Sequence, residues 1–264
     1  MFVYPHINPV AIKIGVLKIH WYGLMYLFSF IIGGLLMKIR VQTFKLGWSN
    51  EQLLDLIFYG AVGVVLGGRI GYILFYNLSY YLQNPLHMAE VWDGGMSFHG
   101  GMLGVFLAVL YWCKKYKQRF FFITDFIAPV IPIGLAAGRL GNFINGELWG
   151  RVTDVPWAMI YPQAGPQPRH PSELYEFMLE GVVLFIVLWI YSSRRPPRMA
   201  VSGAFMLGYG VFRFVCEYFR QPDAQLGFVA FGWMTRGQEL CIPMMIIGLL
   251  LLWLAYNRRE KVKG

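Results

Sequence analysis

Residues 138–150 read GRLGNFINGELWG, and they follow directly on an apolar run from Phe126 to Ala137. The stretch sets one arginine, two asparagines and one glutamate among glycines. An arginine costs about 2.5–3.5 kcal/mol at the centre of a membrane helix. A chain that places Arg139 at the end of such a run, among hydrogen-bonding side chains, is therefore predicted to hold an anion there.

The composition predicts an integral membrane protein. Of the 264 residues, 57% are hydrophobic and 14% are charged, and the mean hydropathy is +0.49. Soluble domains carry about 25% charged residues and are less apolar. The cysteines, Cys113, Cys216 and Cys241, are widely spaced and form no metal-ligand pattern, so we interpret them as buried thiols.

Seven stretches are long and apolar enough to cross a bilayer, which takes about 20 residues each. They predict an all-α polytopic protein that forms a single membrane domain over residues 1–264. The predicted transmembrane helices are 19–37, 54–76, 96–113, 120–141, 174–191, 200–219 and 238–256. Residues 145–171 are rich in proline and are predicted to form a small head between the fourth and fifth spans.

The basic residues predict the orientation. Most of the 23 lysines and arginines follow the first, third, fifth and seventh spans. By the positive-inside rule these ends are cytoplasmic, which places the N-terminus and the head outside and the C-terminus inside. The net charge of +9 is thus sorted by membrane side and forms no single patch, which argues against a nucleic-acid partner.

With this orientation the polar side chains of the spans come mainly to one layer near the outer surface. Tyr209, Arg213 and Glu217 follow one another at intervals of one turn on the sixth span. Intramembrane ionisable groups usually face a cavity or one another. Structural roles stay open for some of them: Arg69 as the partner of an acid, Arg213 with Glu217 as a local ion pair, and Ser172 as a helix cap.

Three arginines, Arg69, Arg139 and Arg213, are predicted to share this depth, where they would repel unless acids or a bound anion separate them. The planar fork of a guanidinium suits phosphate, and the phosphate most available there belongs to a phospholipid headgroup. Two other classes stay open. An anion or lipid transporter would need polar groups on both sides of the membrane. A non-catalytic lipid-binding protein has no use for His99 beside two glycines.

The stretch 138–150 resembles the signature of the prolipoprotein diacylglyceryl transferase family, the bacterial enzymes that begin lipoprotein maturation. The matching blocks run from the first span to the sixth, so the resemblance covers nearly the whole chain. The other blocks that resemble this family are His20–Gly23, Gly67–Gly71, Trp92–Gly101, Arg169–Ser172, Gly208–Arg213 and Arg220–Asp223.

The resemblance implies a seven-helix protein of the bacterial inner membrane, with a periplasmic N-terminus, head and active site and a cytoplasmic C-terminus. It implies transfer of the diacylglyceryl group of phosphatidylglycerol to the lipobox cysteine of signal-peptide-bearing preprolipoproteins, with release of glycerol 1-phosphate. The expected partners are these two substrates and membrane lipid. Neither a metal nor an organic cofactor is expected.

The resemblance also implies roles for individual residues. His99 matches a functionally important histidine of the family and is the candidate base, while Arg139 and Arg213 would bind the lipid phosphate. These three are the predicted catalytic residues. The predicted substrate-binding residues are Tyr22, Arg69, Asn142, Asn145, Glu147, Gly150, Tyr209 and Glu217.

Overall fold

The structure, a computed structural model, describes residues 2–15, 17–90, 94–222 and 227–257. Residues 92–93 and 223 of the motifs above, and the basic C-terminus from residue 258, lie outside these ranges. The helices are α1 (Trp21–Phe44), α2 (Asn50–Tyr76), α3 (Leu78–Gln83), α4 (Phe98–Lys115), α5 (Phe120–Ile127), α6 (Ile131–Asn145), α7 (Ser172–Glu176), α8 (Leu184–Ser193), α9 (Ala200–Cys216) and α10 (Arg236–Asn257). The strands are β1 (Phe2–Val3), β2 (Val10–Ile14), β3 (Leu17–His20), β4 (Met159–Ile160), β5 (Pro168–Arg169), β6 (Phe228–Ala230) and β7 (Met234–Thr235).

Several of these helices have the length and apolar character of membrane spans. Within the described ranges, four qualify on their own: α1, α2, the stretch Ser172–Ser193 and α10. The bent pair α5 and α6 makes a fifth candidate, and α9 is apolar but shorter. The predicted polytopic, mainly helical class is confirmed, with short strands added in the connections. Seven crossings and their orientation stay predictions.

The predicted span 120–141 is interrupted. Helix α5 ends at Ile127, α6 begins at Ile131, and the two axes are bent by 47°. Pro129 lies in the break and Pro132 in the first turn of α6. Proline has no amide hydrogen and its ring clashes with the preceding turn, so a continuous helix is unfavourable here. Helix α6 then continues to Asn145, beyond the predicted end.

The stretch Ser172–Ser193 is also irregular, because its residues Phe177–Val183 are π-helical. The prediction that Ser172 caps this helix is wrong. The cap position is Pro171, with no side-chain cap bond, and Ser172 is the first helical residue. Its hydroxyl is fully buried and donates to the Leu148 carbonyl oxygen at 2.9 Å. This bond supplies the acceptor that a buried hydroxyl group needs.

The chain divides into two compact units, residues 37–124 and residues 1–36 with 125–264. In the first, α2 and α4 approach closely through glycines. A methyl group on Gly67 would meet the carbonyl oxygen of Gly100, and one on Gly104 would meet that of Gly63. Small residues one turn apart let the backbones of membrane helices come this close. Any side chain at these positions would push the two helices apart.

In the second unit, a core of Ala128, Leu184, Leu188 and Val201 joins the break after α5 to α8 and α9, and Tyr209 packs against it. Helix α9 is capped by a residue that is distant in sequence. Both oxygens of the Asp125 carboxylate accept hydrogen bonds at the start of α9, from the backbone amides of Met199 and Ser202 at 2.6 and 2.8 Å. Asp125, an acid within an apolar segment, thus has a structural partner.

The connection between α6 and α7 forms the head. Strand β4 pairs parallel with β1 and antiparallel with β5, so the N-terminal segment completes its sheet. The Tyr4 hydroxyl lies 2.8 Å from the carbonyl oxygens of Phe143 and Ile144, at the end of α6. Its ring stacks on Tyr161 of the head. The N-terminal segment therefore ties the head to the end of α6.

We expect the Gly67→Ala variant to unfold at a lower temperature, because the new methyl group meets backbone that cannot rotate away. Overpacking of this kind costs about 1–3 kcal/mol, or a shift in Tm of about 2–10 °C for a chain of this size. The control is Gly60→Ala on the same helix, where an added methyl meets nothing within 4 Å. It should melt like the wild type or slightly higher. Equal melting of both variants in detergent would contradict the close packing.

The head should loosen in acid. The Tyr175 hydroxyl accepts from Trp157 Nε1 at 2.6 Å and lies 3.1 Å from His170 Nδ1, where a neutral imidazole can accept its hydrogen. Burial lowers the pKa of His170 below the usual value of about 6.5. The unfolded head then binds more protons, so its stability is complete above about pH 6.5 and falls as the pH drops below that value.

Hydrogen exchange of residues 157–175, compared at about pH 5 and about pH 7.5, measures this effect. After each rate is divided by the intrinsic amide exchange rate at the same pH, we expect smaller protection factors in acid for the wild type. The dependence should disappear in His170→Gln and persist in the control His6→Gln, an exposed position. Identical protection factors of the wild type at both pH values would disprove the assignment.

Candidate active site

Two arginines from different helices meet at one carboxylate. Arg139 lies on α6, Arg213 on α9, and Glu176 at the end of α7 contacts both. Arg139 Nε lies 2.8 Å from Glu176 Oε2, and Arg213 Nη1 donates to Glu176 Oε1. Each oxygen of Glu176 thus faces one guanidinium group, and the carboxylate bridges the pair.

Two further carboxylates flank this bridge. Glu180, in the π-helical segment, lies 3.5 Å from Arg139 Nη2 and 3.6 Å from Arg213 Nη1. Glu217 accepts from Arg213 Nη2, so the local ion pair considered from the sequence is present. Glu217 also accepts from the Thr235 hydroxyl at 2.7 Å, which fixes it against the start of α10. Three acids therefore hold the two arginines in place.

The acids of this cluster are deeply buried and incompletely hydrogen-bonded. Glu173, Glu176 and Glu180 are at most 1% exposed. Among the described residues, neither oxygen of Glu173 or Glu180 has a hydrogen-bond partner. Removal of a charge from water costs several kcal/mol, which is recovered only with good geometry and further hydrogen bonds. Burial of these carboxylates in an apolar helix therefore indicates a role in function rather than in stability.

The two arginines keep donors for a ligand. Within the described ranges, the contacts of Arg139 use Nε and Nη2, and those of Arg213 use Nη1 and Nη2. Arg139 Nη1 and Arg213 Nε remain. The two side chains are 18% and 12% exposed, so both can be reached from outside the cluster. Two N–H groups on neighbouring guanidiniums suit the oxygens of a phosphate.

The polar residues that follow Arg139 form a second cluster at the end of α6. The side-chain amides of Asn142 and Asn145 both donate to Glu147 Oε1, at 2.9 and 3.1 Å. Gly146 ends the helix with φ of +63°, a left-handed conformation that glycine adopts without strain. This turn brings Glu147 back over the last turn of α6. The amide-held carboxylate is suited to accept hydrogen bonds from hydroxyl groups.

Tyr22 and Gly150 border this cluster in different ways. The Tyr22 ring lies against Gly141, where a methyl group would come within 2.7 Å of it. Gly150 is enclosed by backbone: its amide donates to the His170 carbonyl oxygen at 2.8 Å, and a methyl group would meet the Phe219 carbonyl oxygen at 2.5 Å. Close backbone packing therefore requires glycine at position 150, in addition to the predicted contact of Gly150 with the ligand.

Tyr209 lies one turn before Arg213 on α9. Its ring stacks on Phe205 and packs against the core of the unit. The structure therefore brings Arg139, Arg213, Glu217, Tyr209, Asn142, Asn145, Glu147, Gly150 and Tyr22 into one unit.

The two remaining predicted residues, His99 and Arg69, belong to the unit of residues 37–124. His99 is exposed in the first turn of α4, which Ser97 caps by accepting from the Gly100 amide at 3.2 Å. Arg69 is 5% exposed. Its guanidinium donates to the carbonyl oxygens of His87 and Gly94 at 2.6 Å, so backbone takes the place of the acid considered from the sequence.

Glu176 and Glu180, which contact both arginines, are candidate site residues that the sequence analysis did not include. Their signal is visible: Glu173, Glu176 and Glu180 recur every three or four residues in an otherwise apolar helix. Arg220 joins them, with Nη1 at 3.8 Å from Glu176. Within the described ranges, no group of three or more His, Cys, Asp or Glu side chains has the arrangement of a metal site.

Comparison with known proteins adds an independent observation. The family model "Prolipoprotein diacylglyceryl transferase" matches residues 9–254. The chain is 58% identical over 261 residues to the phosphatidylglycerol–prolipoprotein diacylglyceryl transferase of Coxiella burnetii (strain RSA 331 / Henzerling II), which covers 99% of this chain and 100% of that protein. It is 58% identical over 253 residues to the protein of the same name from Legionella pneumophila (strain Lens), at 96% and 99% coverage. The chain belongs to the prolipoprotein diacylglyceryl transferase family.

Proposed function

We propose that this protein transfers the diacylglyceryl group of phosphatidylglycerol to the cysteine thiol of a prolipoprotein, the first step of lipoprotein maturation. The relatives of high identity carry this activity in their names. The observation within the molecule that carries the proposal is the pair Arg139 and Arg213, held together by Glu176, with one guanidinium nitrogen of each outside the ion pairs of the described residues. An anion or lipid transporter is not favoured, because both relatives reported above are named as transferases.

The arginine pair acts on the lipid phosphate. Arg139 Nη1 and Arg213 Nε donate to its oxygens. Glu176 and Glu180 contact both guanidiniums and keep them from moving apart, and Glu217 fixes Arg213. As the bond between the diacylglyceryl carbon and the phosphate oxygen breaks, that oxygen gains negative charge. Donors that are already fixed in place stabilise this charge without reorganisation. The protein thereby favours departure of glycerol 1-phosphate.

The substrate cysteine supplies the nucleophile. Its thiolate sulfur attacks the glycerol carbon of the diacylglyceryl group, a carbon–sulfur bond forms, and the carbon–oxygen bond to phosphate breaks. A free thiol titrates near 8.5, so a base that takes its proton speeds the reaction at neutral pH. His99 is that base in our proposal, since imidazole titrates near neutrality and the side chain is exposed at the first turn of α4.

The remaining predicted residues orient the lipid headgroup or its binding groups. Glu147 accepts from the glycerol hydroxyls, while Asn142 and Asn145 hold it in place. Tyr22 donates to a phosphate or glycerol oxygen beside Gly141. Tyr209 borders the anion pocket, Gly150 allows the head backbone to approach, and Arg69 orders the loop that leads to α4. These three have packing or ordering roles within their own units.

The membrane placement follows from the same proposal. Seven spans cross the bacterial inner membrane, with the N-terminus and head periplasmic and the C-terminus cytoplasmic. The arginine pair then works in the periplasmic leaflet, where both phosphatidylglycerol and the signal-peptide-bearing prolipoprotein are present. The sorting of basic residues by membrane side supports this orientation.

We expect Arg139→Gln to lower transfer by about 100-fold or more, because loss of one fixed donor to a developing oxyanion costs that much. Arg139→Lys should recover little, since an ammonium group cannot replace the guanidinium fork. The assay combines purified protein, phosphatidylglycerol and a lipobox peptide, and reads the peptide mass gain together with released glycerol phosphate.

The matched control for this experiment is Arg236→Gln, which removes an exposed arginine that pairs with Glu239 at the start of α10. It should keep full activity. Substantial turnover by folded Arg139→Gln would refute the phosphate role of Arg139. A folded wild type that gives no mass gain would refute the transferase proposal itself.

His99→Gln tests the base separately. If His99 takes the thiol proton, the variant should be slow at pH 7 and should recover as the pH rises through about 8.5, where the thiol ionises by itself. The wild type should lose much less of its rate between about pH 8.5 and about pH 7. Parallel pH profiles of the two proteins would mean that another group, or solvent, deprotonates the thiol.

A further inference from the structure

The N-terminal hairpin of β2 and β3 is amphipathic. The strands pair antiparallel, with Ile12 opposite Ile19 and Lys13 opposite Lys18. Directly opposed residues share one face of a sheet, and successive residues alternate between faces. One face of this hairpin is therefore aliphatic and the other carries two lysines side by side.

Both faces are uncovered in the described structure. Ile12 and Ile14 are 47% and 64% exposed, and Lys13 and Lys18 are exposed as well. Like charges directly opposite each other destabilise a strand pair, and an isolated two-stranded hairpin is marginally stable in water at best. A partner that covers the aliphatic face and places anions at the lysines would stabilise this arrangement.

The chain itself shows where this partner lies. Strand β3 ends at His20 and α1 begins at Trp21 with no loop between them, and the Trp21 amide donates to the Pro9 carbonyl oxygen at 2.9 Å. Because α1 is a candidate membrane span, the hairpin is held at the level where that span enters the bilayer. An interfacial element of this kind carries aliphatic side chains on one face and basic ones on the other.

We propose that this hairpin lies on the membrane surface and binds anionic phospholipid through Lys13 and Lys18. Its isoleucines enter the boundary of the acyl chains, and the two ammonium groups reach the headgroup phosphates. A surface lysine contributes about a fivefold gain in affinity for an anionic membrane. Since Tyr22 of the candidate site follows two residues after the hairpin, we also infer, on the basis of the proposed function, that the lysines raise the local concentration of the lipid substrate.

The aliphatic face is tested with Ile14→Cys labelled with a polarity-sensitive fluorophore. The native cysteines Cys113, Cys216 and Cys241 are buried, so the new thiol is modified selectively. The full-length protein is placed in phosphatidylcholine vesicles with about one quarter phosphatidylserine, which is anionic but is not the proposed donor lipid. The label at residue 14 should report an apolar environment and be quenched by spin-labelled lipid. The positive control is the same label at Val187→Cys on α8, and the negative control is the label at the exposed head position Gln167→Cys.

The lysines are tested by energy transfer from the label at residue 14 to fluorescent phosphatidylserine. Lys13→Gln with Lys18→Gln should weaken this association about fivefold for each lysine removed and abolish its salt dependence. The control, Lys114→Gln with Lys117→Gln, removes the same charge from exposed lysines at the end of α4 and beyond it, and should leave the association unchanged.

Two results would overturn the proposal: a label at residue 14 that behaves like the one at residue 167, or equal lipid association of the two double variants.

The substrate inference has a separate readout. The hairpin variant should raise KM for phosphatidylglycerol in vesicles without a change in kcat. If the wild type binds lipid through the hairpin but catalyses no transfer, the proposed function is refuted, while the proposed membrane contact is still supported.

Discussion

The bridge from Arg139 through Glu176 to Arg213 is the interaction on which the second unit depends. It joins α6, α7 and α9, which are separated by long stretches of sequence, at a single carboxylate. Each of these groups would be costly to bury alone, because a desolvated ion loses several kcal/mol of hydration. Together they form a rigid arrangement of charge, and the three helices must keep their relative positions to maintain it.

Irregular backbone surrounds this bridge. The break between α5 and α6, the π-helical residues Phe177–Val183 and the left-handed turn at Gly146 all lie on elements that carry the site. In a bilayer, backbone that leaves the regular helix must be satisfied by protein or line a polar cavity. π-Helical turns also occur frequently at functional sites. The departures from regular helix thus coincide with the place where charged side chains are needed.

The other unit uses arginine for a different purpose. Arg69 is as buried as a core residue, and its donors hold the carbonyl oxygens of the loop that precedes α4. The glycine contacts between α2 and α4 fix the helix that carries His99. An arginine that satisfies several backbone carbonyls at once orders a loop in the way that a regular hydrogen-bonded turn would. One unit therefore uses guanidinium groups to present charge, and the other uses one to shape a loop.

The sequence by itself determined the class of protein and predicts the chemistry of its site. Composition and apolar stretches of sufficient length predict a polytopic membrane protein, because the cost of exposing charge to lipid constrains every span separately. Arg139 beside Asn142 and Glu147 predicts an anion site from local pattern alone. The same local information identified the family through residues 138–150.

Only the tertiary structure decided which groups meet. Arg69 and Arg139 are the same residue type in similar apolar surroundings, yet one is held by backbone carbonyls and the other by Glu176. The Ser172 hydroxyl donates a hydrogen bond to the Leu148 carbonyl oxygen instead of capping its own helix. These partners lie far apart in the chain, and their encounter depends on which helix faces pack together. The sequence periodicity of a helix predicts which of its faces is apolar. It does not predict which side chain of a neighbouring helix will pack against that face.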